Sequence, residues 1–178
     1  THWRAEIGPL DGRRITAGIS LPLRRADAPV REELCLTSLG EPRPQRFRVV
    51  LGPQDDKFTP EQIATFLGSV YRVSREADRW GMRLDGPALA HDVSIVSDAI
   101  APGSIQVPTG GQPLVLLADR STTGGYPKIA TVISSDLGKM GQLMPKDALG
   151  FAAVTADEAV AIGERQWARL RQAAEARR

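Results

Sequence analysis

The sequence predicts a mainly β domain, an antiparallel barrel or curled sheet with two peripheral helices. Three observations carry this. Short runs that alternate or turn apolar recur between turn-forming residues: RFRVVL at 46–51, WGMRLD at 80–85, LVLLA at 114–118 and KIATVI at 128–133. Gly110-Gly111 sits between two of these runs as a hairpin signal. Only two segments show helical spacing, and they do not alternate with strands as a doubly wound sheet requires.

The 178 residues suit one domain that buries roughly 70% of its unfolded surface. Charged residues make up 25%, with a net charge of +2. Arginines crowd the C-terminal end, and no aromatic platform accompanies them, so the charge reads as a solvated helix end and not as a nucleic-acid surface. The single cysteine, Cys35, excludes an internal disulfide, and two histidines are too few for a multi-histidine metal site. No apolar stretch of about eighteen residues and no leader pattern is present, so no membrane span is expected and the default location is the cytoplasm.

In chain order, residues 1–45 read as an N-terminal strand near 14–17, after the Asp11-Gly12 turn, and then a proline-rich linker with an apolar patch at 34–36. This region is expected to continue from a preceding portion of a longer protein. Residues 46–178 form the barrel domain with its C-terminal helix. The 46–51 strand ends at Gly52-Pro53. Thr59-Pro60-Glu61-Gln62 then begins a helix with a capping box, and Gly68 stops it. A strand follows at 69–73. In 80–85, Trp80, Met82 and Leu84 share one strand face, while Gly81 leaves space beside Arg83 on the other. His91 reads as a loop histidine. Gly110-Gly111 predicts a primed two-residue hairpin, with Ile105 and Val107 on one face of the preceding strand and Ser104 and Gln106 on the other. Further strands follow at 128–133 and 149–154. The last helix starts at the N-cap Thr155 with Glu158 three residues on, and its stripe of Val160, Gly163, Trp167, Leu170 and Ala174 is expected to lie on the rest of the domain.

Chemistry concentrates where the apolar run 114–118 gives way to Asp119, Arg120, Ser121, Thr122, Thr123, Gly124, Gly125, Tyr126, Pro127 and Lys128. Threonines and glycines at a strand end can turn several N–H groups toward one carboxylate or phosphate. Lys128 adds a cation and Tyr126 a phenolic donor on the same side of an extended chain. Arg120 is a second cation that Asp119 could orient, and Asp119 could also act as a base. The same residues equally suit a tight glycine turn facing water.

The strings IQVPTGGQPLVLLADRSTTGGYPKIATVI, DRWGMRLDGP and RVVLGPQDDKFT resemble the biotin-dependent carboxyltransferase family that includes the C-type subunits of 5-oxoprolinase, also called allophanate hydrolase subunit 2. The resemblance runs from about Arg46 to Val154 and covers the C-terminal part of the longer family subunits. It implies a cyclophilin-like β-barrel and a B-type partner subunit, with an A-type subunit in prokaryotic 5-oxoprolinase, which uses ATP to open 5-oxoproline to glutamate. ATP with Mg²⁺ is then expected at the level of the complex. Carried over, the family pattern covers Gln106, Asp119, Arg120, Thr122, Thr123, Gly124, Gly125, Tyr126 and Lys128, with Arg79, Arg83 and Gly86. From their chemistry, Lys128, Tyr126 and Asp119 are the candidate catalytic residues. Gln106, Arg120, Thr122, Thr123, Gly124, Gly125 and Arg83 are the candidate substrate or anion ligands.

Two alternatives accompany this reading. One is carboxyl transfer of the urea carboxylase type, with biotin carried on another domain, since Lys139-Met140 reverses the Met-Lys order of a biotinyl motif. The other is a non-catalytic module that binds a partner or regulates a kinase.

Overall fold

The computed structural model describes residues 9–13, 15–22 and 44–175. The chain divides into two compact units, Thr1–Cys35 and Leu36–Arg178. In the first, Pro9–Gly12 form a 3₁₀ turn in which the Arg13 N–H donates to the Leu10 carbonyl at 3.0 Å. The strand expected near 14–17 is not found: residues 15 and 16 are irregular and 17 and 18 form a turn, while residue 14 lies outside the described residues. The apolar patch at 34–36 and most of the linker also lie outside them.

The strands of the second unit are β1 (Arg46–Leu51), β2 (Tyr71–Val73), β3 (Gly81–Asp85), β4 (Asp98–Ala99), β5 (Ser104–Gln106), β6 (Leu114–Leu116), β7 (Thr123–Gly124), β8 (Lys128–Val132) and β9 (Ala148–Ala153). Seven of them close into a barrel in the order β1-β8-β5-β6-β3-β2-β9, the closed form of the two, barrel or curled sheet, that the short runs allow. The two shortest, β4 and β7, form a separate antiparallel ribbon. The pairings are antiparallel except at the closure, where β9 runs parallel to β1 with Arg46 opposite Gly150 and Val49 opposite Ala153. The barrel is therefore not wholly antiparallel. Closure leaves no free sheet edge to be protected from pairing with another chain.

Period-two alternation puts Phe47 and Val49, Tyr71 and Val73, and Met82 and Leu84 into the core. Trp80, expected on the Met82 face, precedes the strand and is 41% exposed. Nor does Gly81 make room for Arg83. A Cβ at Gly81 would meet Leu114 Cδ1 at 3.1 Å and the Val115 carbonyl at 3.3 Å, so the glycine admits the neighbouring strand.

Three α-helices, not two, accompany the barrel among the described residues: α1 (Pro60–Gly68), α2 (Ser134–Met140) and α3 (Ala156–Glu175). The capping box of α1 is complete: the Thr59 hydroxyl accepts from the Gln62 N–H and Gln62 Oε1 accepts from the Thr59 N–H. Its buried Phe66 stacks on Phe151 with ring centroids 4.6 Å apart. The unforeseen α2 is held by charge. Asp136, fully buried, accepts from the Arg48 backbone N–H at 2.9 Å and from its guanidinium at 3.0 and 2.6 Å. The cap of α3 forms as expected between Thr155 and Glu158, but its stripe does not lie on the barrel. No described residue of α3 is buried, and Val160 and Trp167 are 61% and 66% exposed.

The Gly110-Gly111 hairpin joins β5 to β6, with Ile105 opposite Val115, through a longer connection than two residues. The tight turn is Pro108–Gly111, closed by the Gly111 N–H donating to the Pro108 carbonyl at 2.8 Å. Only Gly111 takes positive φ, at 77°, and a Cβ there would lie 2.9 Å from the backbone nitrogen of Ala90. The glycine is thus needed for close approach of the 88–90 segment as well as for the turn.

Tyr71 is completely buried, and its hydroxyl has no hydrogen-bond partner among the described residues. Burial pushes its phenol up to about 12. Between the ordinary value near 10 and this raised value, the unfolded chain releases the proton before the folded one does, so unfolding gains free energy as pH rises. Tyr71 therefore stabilises the fold fully below about pH 10, and this contribution is lost as pH rises toward about 12. Urea unfolding across that window is expected to show a steeper alkaline loss for the parent chain than for Tyr71→Phe; parallel profiles would contradict the assignment.

Candidate functional site

The site is built where β8 begins. Lys128 is 2% exposed, and its Nζ donates to Asp98 Oδ2 at 2.8 Å. Gln54, which follows the cis Gly52–Pro53 bond, ties the two together. Its Nε2 donates to the same Asp98 oxygen at 3.1 Å, its Oε1 accepts from the Lys128 backbone N–H at 3.2 Å, and its own N–H donates to the Lys128 carbonyl at 3.1 Å. The hydrogen bond from Lys128 is the main reason the Asp98 carboxyl sits below its usual range, with help from the Ala99 N–H and Gln54. The ion pair is thus set at a boundary, with the lysine enclosed and the carboxylate side chain 47% exposed.

The β4–β7 ribbon accounts for this enclosure. Asp98 pairs with Gly124 and Ala99 with Thr123, and the pairing extends on both sides as the Ile95 N–H donates to the Gly125 carbonyl and the Ile100 N–H to the Thr122 carbonyl. The polar segment is therefore not a fan of N–H groups around an anion; its backbone is engaged by β4. Beneath it lies Gln106, 4% exposed, whose Nε2 donates to the Tyr126 carbonyl at 3.2 Å. A Cβ at Gly124 would stand 2.7 Å from that Nε2, so only glycine lets the ribbon lie this close. A bulge between Ile105 and Gln106 shifts the register against β8 and brings Gln106 opposite Lys128.

The structure thus brings Gln106, Gly124, the Tyr126 carbonyl and Lys128 together, leaves Gly125 paired with Ile95 on the ribbon, and adds Gln54 and Asp98, which sequence reasoning did not single out. Thr122 and Thr123 are exposed on the ribbon. Tyr126 and Lys128 do not share an environment, because Tyr126 is 44% exposed and Lys128 is enclosed. Arg120 holds the base of the ribbon, its Nε donating to the Ile100 carbonyl at 3.1 Å. Asp119 pairs with Arg79 and not with Arg120, through two bonds of 2.7 and 2.9 Å on the surface. That pairing lowers the Asp119 carboxyl and raises the Arg79 guanidinium. Arg83 is half exposed, with its Nε 3.2 Å from Glu76. His91 is a loop residue with Nε2 2.7 Å from the Val107 carbonyl.

An ammonium has three N–H donors, and among the described residues Asp98 is the side chain that accepts from Lys128. The remaining donors can serve a carbonyl or phosphate oxygen while Asp98 and Gln54 hold the group in place. Asp98 could have been suspected only as an acidic residue beside a short apolar pair in SIVSDAI. Gln54 stands within the RVVLGPQDDKFT string that carried the family resemblance.

The family model of the carboxyltransferase domain, subdomains A and B, matches residues 1–153. The chain belongs to this family. It is 35% identical over 161 residues to the C subunit of the Haemophilus influenzae 5-oxoprolinase, covering 89% of this chain and 51% of that protein. The chain accordingly spans about half the length of the curated relatives it matches. Its fold superposes on the crystal structure of TTHA0988 with a TM-score of 0.64 and 35% identity, covering 80% of this chain and 28% of that one. The Kluyveromyces lactis urea carboxylase structure gives a TM-score of 0.64 at 28% identity, covering 68% of this chain and 12% of that one. The whole Lys128 cluster falls within the residues matched by the family, whereas α3 lies beyond them. Among the described residues, no helix is long and apolar enough to cross a membrane.

Proposed function

We propose that the chain is the C-terminal part of the C subunit of a 5-oxoprolinase and works in a cytoplasmic, ATP-dependent complex that opens 5-oxoproline to glutamate. The observation that carries this reading is the similarity of nine-tenths of the chain to a protein named for that activity. The Lys128 cluster supplies a fitting chemistry. Opening a lactam builds negative charge on its carbonyl oxygen, and a fixed, desolvated ammonium aimed at that oxygen stabilises the charge without reorganisation during the step. Asp98 and Gln54 act as positioning residues, and Gln106 orients the Tyr126 segment above them.

ATP with Mg²⁺ belongs to the complex in this reading. The Thr-Gly segment is paired with β4 and Lys128 is held by Asp98, a donor set that does not suit a triphosphate, so no step of this chain runs through the nucleotide. The remaining machinery comes from the B-type and A-type proteins. Combining the three with ATP and following glutamate released from 5-oxoproline tests the proposal. Glutamate should form when this portion stands within a full-length C-type protein; a complete complex that forms none would overturn the reading.

Carboxyl transfer is the second reading, favoured by the family model itself and by the likeness to urea carboxylase. Here the same ammonium would hold a carbonyl oxygen of the carboxyl acceptor or donor, and biotin would come on another domain. Streptavidin blotting of co-purified partners separates the two, because only carboxyl transfer predicts a biotinylated band.

A further inference from the structure

A polar recess of about 190 Å³ lies where β1, α2 and α3 meet, lined by Arg48, Ser135, Ile162, Arg165, Gln166 and Arg169. Three guanidiniums line this space and no carboxylate does. Asp136 lies behind Arg48, paired with it and without exposed surface, so it offsets one charge but offers no oxygen to the recess. Arg165 and Arg169 stand four residues apart on α3, a spacing at which like charges destabilise a helix. No acidic residue stands three or four positions from either of them on the helix to offset that repulsion. The arginines that read in the sequence as a solvated helix end are thus in part gathered against a third arginine of the barrel.

We infer that this recess is a binding site for a phosphate dianion. A guanidinium presents its N–H donors as a planar fork that matches phosphate oxygens, and forks reaching in from β1 and from two turns of α3 suit a tetrahedral ion. Arg48 and Arg169 hold other contacts as well, and Arg48 gives its Nε and one Nη to Asp136. Each guanidinium has five donors, so such contacts leave others for an oxygen. Arg165 forms no ion pair among the described residues. The Ser135 hydroxyl and the Gln166 amide add neutral donors. The recess is smaller than the roughly 300 Å³ at which sites for drug-sized ligands begin, which suits one phosphate and is too little for an enclosed nucleotide.

Such an ion does for α3 what packing does not. The helix buries no described residue, yet it passes α2 closely enough that a Cβ on Gly163 would lie 3.7 Å from Ser135 Oγ. A phosphate bridging Arg165 and Arg169 to Arg48 fastens the helix to β1. The recess is separate from the Lys128 cluster, since Val49, next to Arg48, pairs with Val132 at the other end of β8 from Lys128. Its α3 side lies beyond residues 1–153, which the family model matches. The inference therefore stands apart from the 5-oxoprolinase reading.

Titration calorimetry of the chain with inorganic phosphate, at mildly alkaline pH and an ionic strength fixed with sodium chloride, tests this. One site with a dissociation constant in the millimolar range or tighter is expected, and acetate, with one charge and two oxygens, should bind on the order of tenfold more weakly. Arg165→Gln and Arg169→Gln replace exposed side chains by another good helix former, so each should keep the parental circular dichroism while weakening phosphate on the order of tenfold or more. Amide hydrogen exchange over residues 156–175 should slow when phosphate is added to the parent chain and not when it is added to the variants. Tighter binding of glycerol phosphate than of inorganic phosphate would make a phosphate monoester the ligand, and weaker binding the free ion; both outcomes support a phosphate site. No binding above the chloride background, acetate binding equal to phosphate, or unchanged affinity in both arginine variants would each overturn the inference.

Discussion

Lys128→Met is expected to lower glutamate formation by the reconstituted complex on the order of 10²-fold or more while leaving the fold intact. The two halves of this expectation have separate causes. Lys128 is the buried member of its ion pair, at 2% exposure, and methionine offers an apolar chain of similar length for the same space. Asp98 is half exposed and returns to water when its partner goes, so no unpaired charge is left inside. Thermal melting should therefore stay near that of the parent chain or rise. Turnover should fall because the donor to the developing oxyanion is gone. A variant with parental turnover would remove Lys128 from the chemistry, whereas a large drop in melting temperature would make the lysine a structural residue.

Asp136→Ala is expected to have the opposite profile, with a large loss of stability. Asp136 has no exposed surface and receives three hydrogen bonds from Arg48, one from its backbone, which fasten α2 to β1. Removing the carboxylate takes away the acceptor of the Arg48 N–H and of two guanidinium bonds in a partly buried place. Breaking a buried pair in this way costs about 3–5 kcal/mol, a fall in Tm on the order of 10 °C for a chain of this size. Replacing both partners, as in Arg48→Met with Asp136→Leu, should recover part of the loss, because no charge is then stranded and only the backbone N–H of residue 48 loses its acceptor. A single variant that melts within about 1 kcal/mol of the parent would show that the pair is not what fixes α2.

The parts of this fold that were legible in the sequence are those with a period or a cap. RFRVVL alternates at the start of its strand, with Phe47 and Val49 buried, and the Thr59–Gln62 and Thr155–Glu158 boxes mark two helix starts correctly. What was not legible has physical reasons. The β4–β7 ribbon is made of two-residue strands, too short to show a period, so nothing in SIVSDAI announces that Asp98 reaches Lys128. Helix α2 carries Gly138 in its middle and has no side-chain cap, and its anchor, Asp136 on Arg48, is a contact distant in sequence. The polar loop was visible as a concentration of chemistry, but its geometry depended on β4. A segment that reads as a fan of free N–H groups is in fact half of a ribbon lying on Gln106. Asp119 looked well placed to orient Arg120, and only the fold reveals that Arg79 lies nearer to hand.

The most direct test of the proposed function is the substrate dependence of ATP hydrolysis by one preparation of a full-length C-type protein carrying this portion, combined with B-type and A-type proteins. Offered 5-oxoproline, the complex should hydrolyse ATP well above its background; offered urea and bicarbonate, it should not. Hydrolysis stimulated by urea and bicarbonate, and not by 5-oxoproline, would contradict the 5-oxoprolinase reading and leave carboxyl transfer in its place.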